Sequence, residues 1–442
     1  MLNAVETLEN SAEFVNLNRT SNAEFELDPP ETIGLYFRLS GVYQELFAGK
    51  LMSVQDIWSD YSNALSAEVR TVTHLAPLGY VKFAGNGCID CGSFQICKFT
   101  KEELDSLLRN EARRIFFQWA YVDTEGLQKW SFAVVKERLP IQVRGSLQLH
   151  FDKGFKPRFS SYPAPVERVL EALALYDWRL LDWAAKEQDK PSLILSEGRA
   201  FIARPVVPFV VSVSDCLFDL PDRSPDPHAH EARVGPFRLI SSDGRVPFVL
   251  DQPTTVQFAG FMTRTSQVIA CARRLNTRLV DTMLGSLLKA LTSHGLEELL
   301  WHVTAIEAAL GENVDGGLTK LLRSRAALIL GSTEAKRKAI RKRFDELYEM
   351  RCNLVHGNAQ IGDQRVDFGH FMDARQFSRS VVSWVLHYMN HVHGVLEDKI
   401  ENAPTREDML KVLDMSEPAR GRMMCLLKET PAGFPNVDDW IS

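Results

Sequence analysis

No stretch of this chain is apolar for long enough to cross a bilayer. The most apolar run, Phe201 to Phe218, is broken by Arg204, Pro205, Pro208 and Asp215, whereas a spanning helix needs about 20 largely apolar residues. Residues Met1 to Asn10 carry neither the basic leader nor the apolar centre of a signal peptide. Cysteine is sparse, with seven in 442 residues. Together these absences predict reduced thiols in a cytoplasmic protein with no membrane partner. No internal repeat is visible. An excess of positive charge is missing too. Lys and Arg number 51 against 57 Asp and Glu, a net charge of -6, so the surface as a whole is not a nucleic-acid binder. What is present, 45% hydrophobic and 24% charged residues, is the composition of a globular chain with two or three cores.

Residues 1–30 are polar, end in Asp28-Pro29-Pro30 and read as a loose arm. Residues 31–260 mix both periodicities and are expected to form an α+β region of unassigned role. Trp130–Val135, Ile141–Phe151 and Val206–Val213 alternate or are β-branched, as strands do. Lys101–Trp119 and Pro165–Lys186 have helical spacing, the second opened by proline. Asp219–Arg233, with three prolines, reads as a long loop. Ser241–Phe248 is a turn leading into a strand. From about 262 the strand signals stop. Helices are expected over 263–292, 296–310, 316–330, 334–356 and 371–396, an antiparallel bundle spanning 262–400. A C-terminal helical extension, 401–442, opens with the capping pattern Thr405-Arg406-Glu407-Asp408.

Several clusters could carry chemistry. Cys88, Cys91 and Cys97 stand among Gly85, Gly87 and Gly92, which suits either a structural zinc knuckle or the turn and core of a hairpin. His387 and His391, with His393 beyond, have helical spacing for two metal ligands but lack a glutamate between them and a third ligand. Hydrogen-bonded or solvent-facing histidines account for them better. Trp178 and Trp183 lie on an apolar helix and read as core. Lys336, Arg337, Lys338, Arg341, Lys342 and Arg343 place six basic residues within eight positions. They form either a solvated helix face or a contact for a phosphate backbone.

The most informative segment is Tyr348-Glu-Met-Arg-Cys-Asn-Leu-Val-His-Gly357. Ile340, Phe344, Leu347, Tyr348, Leu354 and Val355 recur at helical spacing, and Arg351 sits on that stripe. A guanidinium cannot shed its proton to escape burial, so Arg351 must meet an anion or line a cavity. His356 stands before Gly357, the expected helix stop. A histidine there feels the negative end of the helix dipole, which favours its charged form. A fixed cation and a titratable acid/base are thus delivered to one end of a buried face. A structural reading is also open: a buried Arg–Glu pair and a histidine that caps carbonyls.

The Arg351-x4-His356 pair resembles the signature of the HEPN superfamily, in its Apea-like branch. Leu299–Leu310, with Glu307 inside an Ala/Leu run, resembles that family's first core helix. Leu321–Leu330 resembles the helix carrying its Arg-x-Ala-x-Leu-Leu pattern, and Ala272–Asn276 resembles the lead-in helix. The resemblance covers roughly 265–395. The chain departs from many active members in having Cys352 directly after the arginine and Asn353 one step later.

The resemblance implies a HEPN-like antiparallel bundle and a metal-independent endoribonuclease, with no cofactor for catalysis. RNA brings its own nucleophile, the 2′-hydroxyl. His356 is then the general acid or base, and Arg351 binds the scissile phosphate. Asn353 positions the phosphate or the imidazole, and Tyr348 adds a hydroxyl to the same face. Glu307 pairs with Arg325 or Arg351. A homodimer would supply the second histidine, and residues 31–260 would sense a trigger or a regulatory partner. The family context is antiviral defence or toxin-like modules. The rival expectation is a non-catalytic bundle used for dimerisation or for binding nucleotides or nucleic acid.

Overall fold

The computed structural model describes residues 34, 36–43, 53–79, 81–83, 87–128, 130–140, 162–176, 207, 209–217, 248–250, 252–293, 296–312, 317–355, 368–396 and 406–414. Strands and short helices occupy the first half, and long helices occupy the second. The α+β region followed by a helical C-terminal part is therefore present. Residues 1–30, Ile141–Phe151, Trp178, Trp183 and Asp219–Arg233 lie outside the described residues.

A five-stranded antiparallel sheet organises the first half. It comprises β1 (Val69–Leu78), β3 (Cys88–Asp90), β4 (Gln95–Lys98), β5 (Ser131–Pro140) and β6 (Val211–Ser214), in the order β3-β4-β5-β1-β6. β1 and β5 run together over ten residues, from Val69 opposite Pro140 to Leu78 opposite Ser131. Two further strands, β2 (Val81–Phe83) and β7 (Phe248–Leu250), pair in parallel. Successive side chains of a strand point to opposite faces, and the two faces here have different cores. Leu75, Cys97, Phe132 and Val134 join Leu104, Leu108 and Val122 on one side. Ala76, Leu78, Ile96, Ala133 and Val135 enter the main core on the other.

The first of these faces is covered by α2 (Lys101–Leu107) and α4 (Thr124–Leu127), with α3 (Asn110–Phe116) between them in the chain, while α1 (Val54–Ser66) precedes β1. Thr100 and Glu103 form a reciprocal capping box at the start of α2. The single helix expected over Lys101–Trp119 is broken at Arg109, which takes a left-handed φ of 50°. The helix expected to run to Lys186 is described as α5 (Ala164–Leu175), opened by Pro163 and Pro165.

The second half is built from α6 (Gln252–Leu275), α7 (Thr277–Thr292), α8 (Leu296–Leu310), α9 (Leu318–Leu330), α10 (Glu334–Val355), α11 (Phe368–Leu396) and α12 (Arg406–Asp414). The helix expected over 263–292 is two helices. Asn276 ends the first and caps the second, its side chain accepting a hydrogen bond from the Leu279 amide. α6 also starts ten residues earlier than the boundary expected at 262. Its buried stripe, Phe258, Phe261, Met262, Val268, Ile269 and Ala272, belongs to the core shared by sheet and bundle. Arg273 fastens α6 to its neighbours, donating to Glu171 of α5 at 2.6 Å and to Asp281 of α7 at 2.7 Å.

α12 is tied to the bundle by Arg325. That side chain is fully buried and donates to the Leu310 carbonyl, Glu312 and Asp414. Arg406 donates to the Gly311 carbonyl. Among the described residues no helix is long and apolar enough to cross a membrane.

α11 is enclosed over much of its length, with polar Gln376, Ser380, Ser383 and His387 buried beside its apolar stripe. Burial lowers the His387 pKa from 6.5 to about 4. The unfolded chain therefore takes up this proton first as pH falls. The stabilisation is complete above pH 6.5 and is lost between pH 6.5 and about 4, by ~3 kcal/mol in all. Urea unfolding of His387→Leu protein at several pH values should show a flatter decline over that window than the wild type. Equal slopes would mean that His387 is not held neutral.

Candidate functional site

The site grows from the way α10 leaves the core. Ile340, Phe344 and Leu347 are at most 1% exposed, Tyr348 is 7% exposed, and Val355 at the helix end is 53% exposed. One stripe thus runs from full burial to open surface within four turns, and Arg351 sits where it emerges. The guanidinium is about one quarter exposed. Its position at the rim follows from the spacing alone, since residues 344, 347, 351 and 355 share a helix face.

Glu307 organises this rim. It lies at the edge of the buried stripe of α8. It is intermediate, about one fifth exposed. Its Oε1 accepts a hydrogen bond from the Tyr348 hydroxyl at 2.9 Å, and its Oε2 accepts one from Arg351 at 3.4 Å. The Arg351 guanidinium also lies 5.6 Å from the centroid of the Tyr348 ring. Burial, followed by the hydrogen bond to Glu307, pushes the Tyr348 pKa up to about 12. Tyr348 is therefore a neutral donor whose proton is already committed to Glu307. The hydroxyl expected on the reacting face lies at the same rim as Arg351, turned to Glu307.

Arg351 is held loosely. The contact at 3.4 Å uses one of five guanidinium donors. The buried Arg325, by comparison, makes four hydrogen bonds to three acceptors. Glu307 pairs with Arg351 and not with Arg325, whose carboxylate partners are Glu312 and Asp414. Among the described residues Arg351 therefore keeps donors for a further anion, at a place where solvent reaches it.

The other residues of the motif are less concentrated. Cys352 packs against the main core. Asn353 is two positions after Arg351, about 200° round the helix, so the two side chains leave opposite flanks. A joint grip on one phosphate by Arg351 and Asn353 of the same chain does not follow from this geometry. The described part of α10 ends at Val355, and His356 lies outside the described residues.

The basic run does not form one strip. Its six positions fan out around α10, and four of its side chains already meet carboxylates. Arg337 and Arg341 pair with Glu334, Lys342 with Glu346, and Arg343 with Asp373. Exposed pairs of this kind contribute little to stability, but they lower the potential that a phosphate backbone would meet.

The three cysteines separate. Cys88 and Cys97 are cross-strand neighbours joined by a disulfide, so the expectation of reduced thiols is not met at this pair. Cys91 is three residues from Cys88, an odd step that sends it to the other face of the hairpin. There it is buried in the main core, and burial pushes its thiol up to about 12. A tetrahedral zinc needs thiolates converging on one point, and this arrangement does not provide that. Among the described residues no group of His, Cys, Asp and Glu is arranged to hold a metal. His387 is buried, and the side chains of His391 and His393 lie outside the described residues.

No family model, curated protein or solved structure matches the chain.

The Glu307 cluster is testable by its coupling. Tyr348→Phe in wild-type protein should cost about 1 kcal/mol, and the same change in a Glu307→Ala background should cost much less. Urea denaturation of the four proteins measures this. Additive effects would mean that Glu307 does not organise the rim.

Proposed function

We propose that this chain is a metal-independent endoribonuclease working through Arg351 and His356 at the end of α10. The reading rests on the resemblance of the Arg351-x4-His356 segment, and of the segments around Glu307 and Arg325, to HEPN proteins. The structural observation that carries it is the state of Arg351. It emerges from the core at a solvent-reached rim, is oriented by Glu307 and Tyr348, and has donors left over.

The chemistry needs few groups. A base takes the proton of the 2′-hydroxyl, and the oxygen attacks the adjacent phosphorus. The phosphorane gains negative charge, and the 5′-oxygen leaves as it is protonated. Arg351 stabilises the extra charge through charge-assisted hydrogen bonds. His356 transfers the proton, a contribution of about 10²–10⁴-fold in rate. A single histidine cannot serve as base and acid in the same step. A homodimer in which the helix ends of two copies face each other supplies the second one. Val355, an apolar residue left half exposed beside the motif, supports such a surface.

A non-catalytic bundle for dimerisation or nucleic-acid binding is the competing reading. It is favoured by the commitment of the Tyr348 hydroxyl to Glu307 and by the position of Asn353 on the far flank of α10. In that case the Arg351–Glu307 pair is a structural link between α8 and α10.

Incubation of purified protein with single-stranded RNA separates the two. Cleavage is expected to persist in EDTA, to stop when the scissile 2′-hydroxyl is replaced by hydrogen, and to fall at least 100-fold, at the lower end of about 10²–10⁴, in His356→Ala protein. Cleavage that is lost in EDTA and restored by magnesium would refute the metal-independent mechanism. Equal activity of His356→Ala protein would remove the site.

A further inference from the structure

The hairpin β3–β4 has a part to play that is independent of RNA cleavage. β3 is a three-residue strand at the edge of the sheet, with β4 as its neighbour. An edge strand this short has few ladder hydrogen bonds to hold it. Its disulfide lies on one face, joining exposed Cys88 to buried Cys97. Its other face sends Cys91, Phe94 and Ile96 into the main core, with Ile89 packed beside them.

The tip of the hairpin meets the bundle. The Asp90 carboxylate accepts a hydrogen bond from the Gly92 amide, and the Cys91 amide donates to the Phe94 carbonyl. This tight turn needs Gly92 at a φ of +83°. It also brings Gly92 so close to α6 that an added Cβ would lie 3.0 Å from the Thr263 side chain. Ser93 and Ser266 share a hydrogen bond of 3.2 Å between their hydroxyls. The bridge therefore braces an edge strand whose far end is seated on the first long helix of the bundle, a helix that itself packs on α7 and α11.

We propose that the Cys88–Cys97 bridge is a thiol–disulfide exchange site whose state sets how firmly the hairpin holds α6. The attacking group is the thiolate of an external dithiol, and the accessible sulfur is that of Cys88. Attack there gives a mixed disulfide, and the Cys97 sulfur leaves and takes up a proton. The second thiol of the reagent then displaces Cys88, which is protonated in turn. Two electrons and two protons pass to the bridge, and the dithiol becomes a disulfide. Cys91 takes no part, because it is buried on the opposite face and burial keeps it a thiol. Reduction removes the cross-link while leaving the core residues of the hairpin in place, so the response is a loosening of β3 and of its seat on α6.

Amide hydrogen exchange on the full chain tests this, comparing air-oxidised protein, protein in dithiothreitol, and Cys88→Ser protein, in which the bridge is opened from its exposed side. Peptides spanning 87–98 and 258–270 should exchange about tenfold faster or more in the second and third samples, with α9 unchanged as an internal standard. Cys91→Ser protein should keep the full response to dithiothreitol. Identical exchange with and without the reductant would overturn the proposal. So would alkylation and mass analysis showing Cys88 and Cys97 both free in the oxidised sample, or Cys91 in the bridge. None of these readouts depends on nuclease activity, so failure of one reading leaves the other standing.

Discussion

The Glu307 carboxylate is the acceptor on which the exposed end of α10 is built. A carboxylate four-fifths removed from solvent is costly unless it is hydrogen-bonded, and Glu307 meets that need with a phenol and a guanidinium from one turn of a single helix. Tyr348 and Arg351 are three apart, so they lie side by side on the face turned to α8. The pairing sets the rotation of α10 against α8 and holds Arg351 at the point where the apolar stripe reaches the surface. Removing either donor leaves the other contact in place. Removing Glu307 frees both.

The molecule is also unified by α6. A single stripe on this helix, running from Phe258 to Ala272, belongs to the core that contains Ala133 and Val135 of the sheet and Val381 and Leu386 of α11. The expected boundary near 260 therefore falls inside a helix that serves both halves. The sheet edge and the bundle are joined by packed side chains. Gly92 and Ser93 touch α6, α6 packs on α7, and α7 packs on α8, the helix that carries Glu307.

The helices of the second half were legible because period and caps agree. Leu296–Leu310 was read to the residue, and the ends of α9 and α10 fall within two residues of expectation. The break at Asn276 was missed because the apolar pattern continues across it, although asparagine capping is a recognisable signal. β1, an interior strand of the sheet, was missed for a different reason. Its inward row begins with Arg70, Val72 and His74, and it contains Pro77, so it lacks the apolar alternation of a half-buried strand. The Arg351–Glu307 pair was among the expected pairings, since a guanidinium on an apolar stripe must find an anion. That Tyr348 would share that carboxylate depends on the rotation of two helices, which spacing within one helix does not determine. Nor does the cysteine spacing reveal its outcome by itself. It became decisive once the segment was known to be a hairpin, because strand alternation then divides Cys91 from Cys88 and Cys97.

The chemistry proposed for Arg351 and His356 is promotion of the attack of a 2′-hydroxyl on its own phosphodiester. The most direct measurement is the identity of the new ends left on a defined RNA oligonucleotide after incubation with the purified wild-type chain. Attack by the 2′-hydroxyl leaves a 2′,3′-cyclic phosphate on one fragment and a 5′-hydroxyl on the other, and mass analysis should find that pair. Fragments carrying a 3′-hydroxyl and a 5′-phosphate, or an intact oligonucleotide throughout, would contradict the account.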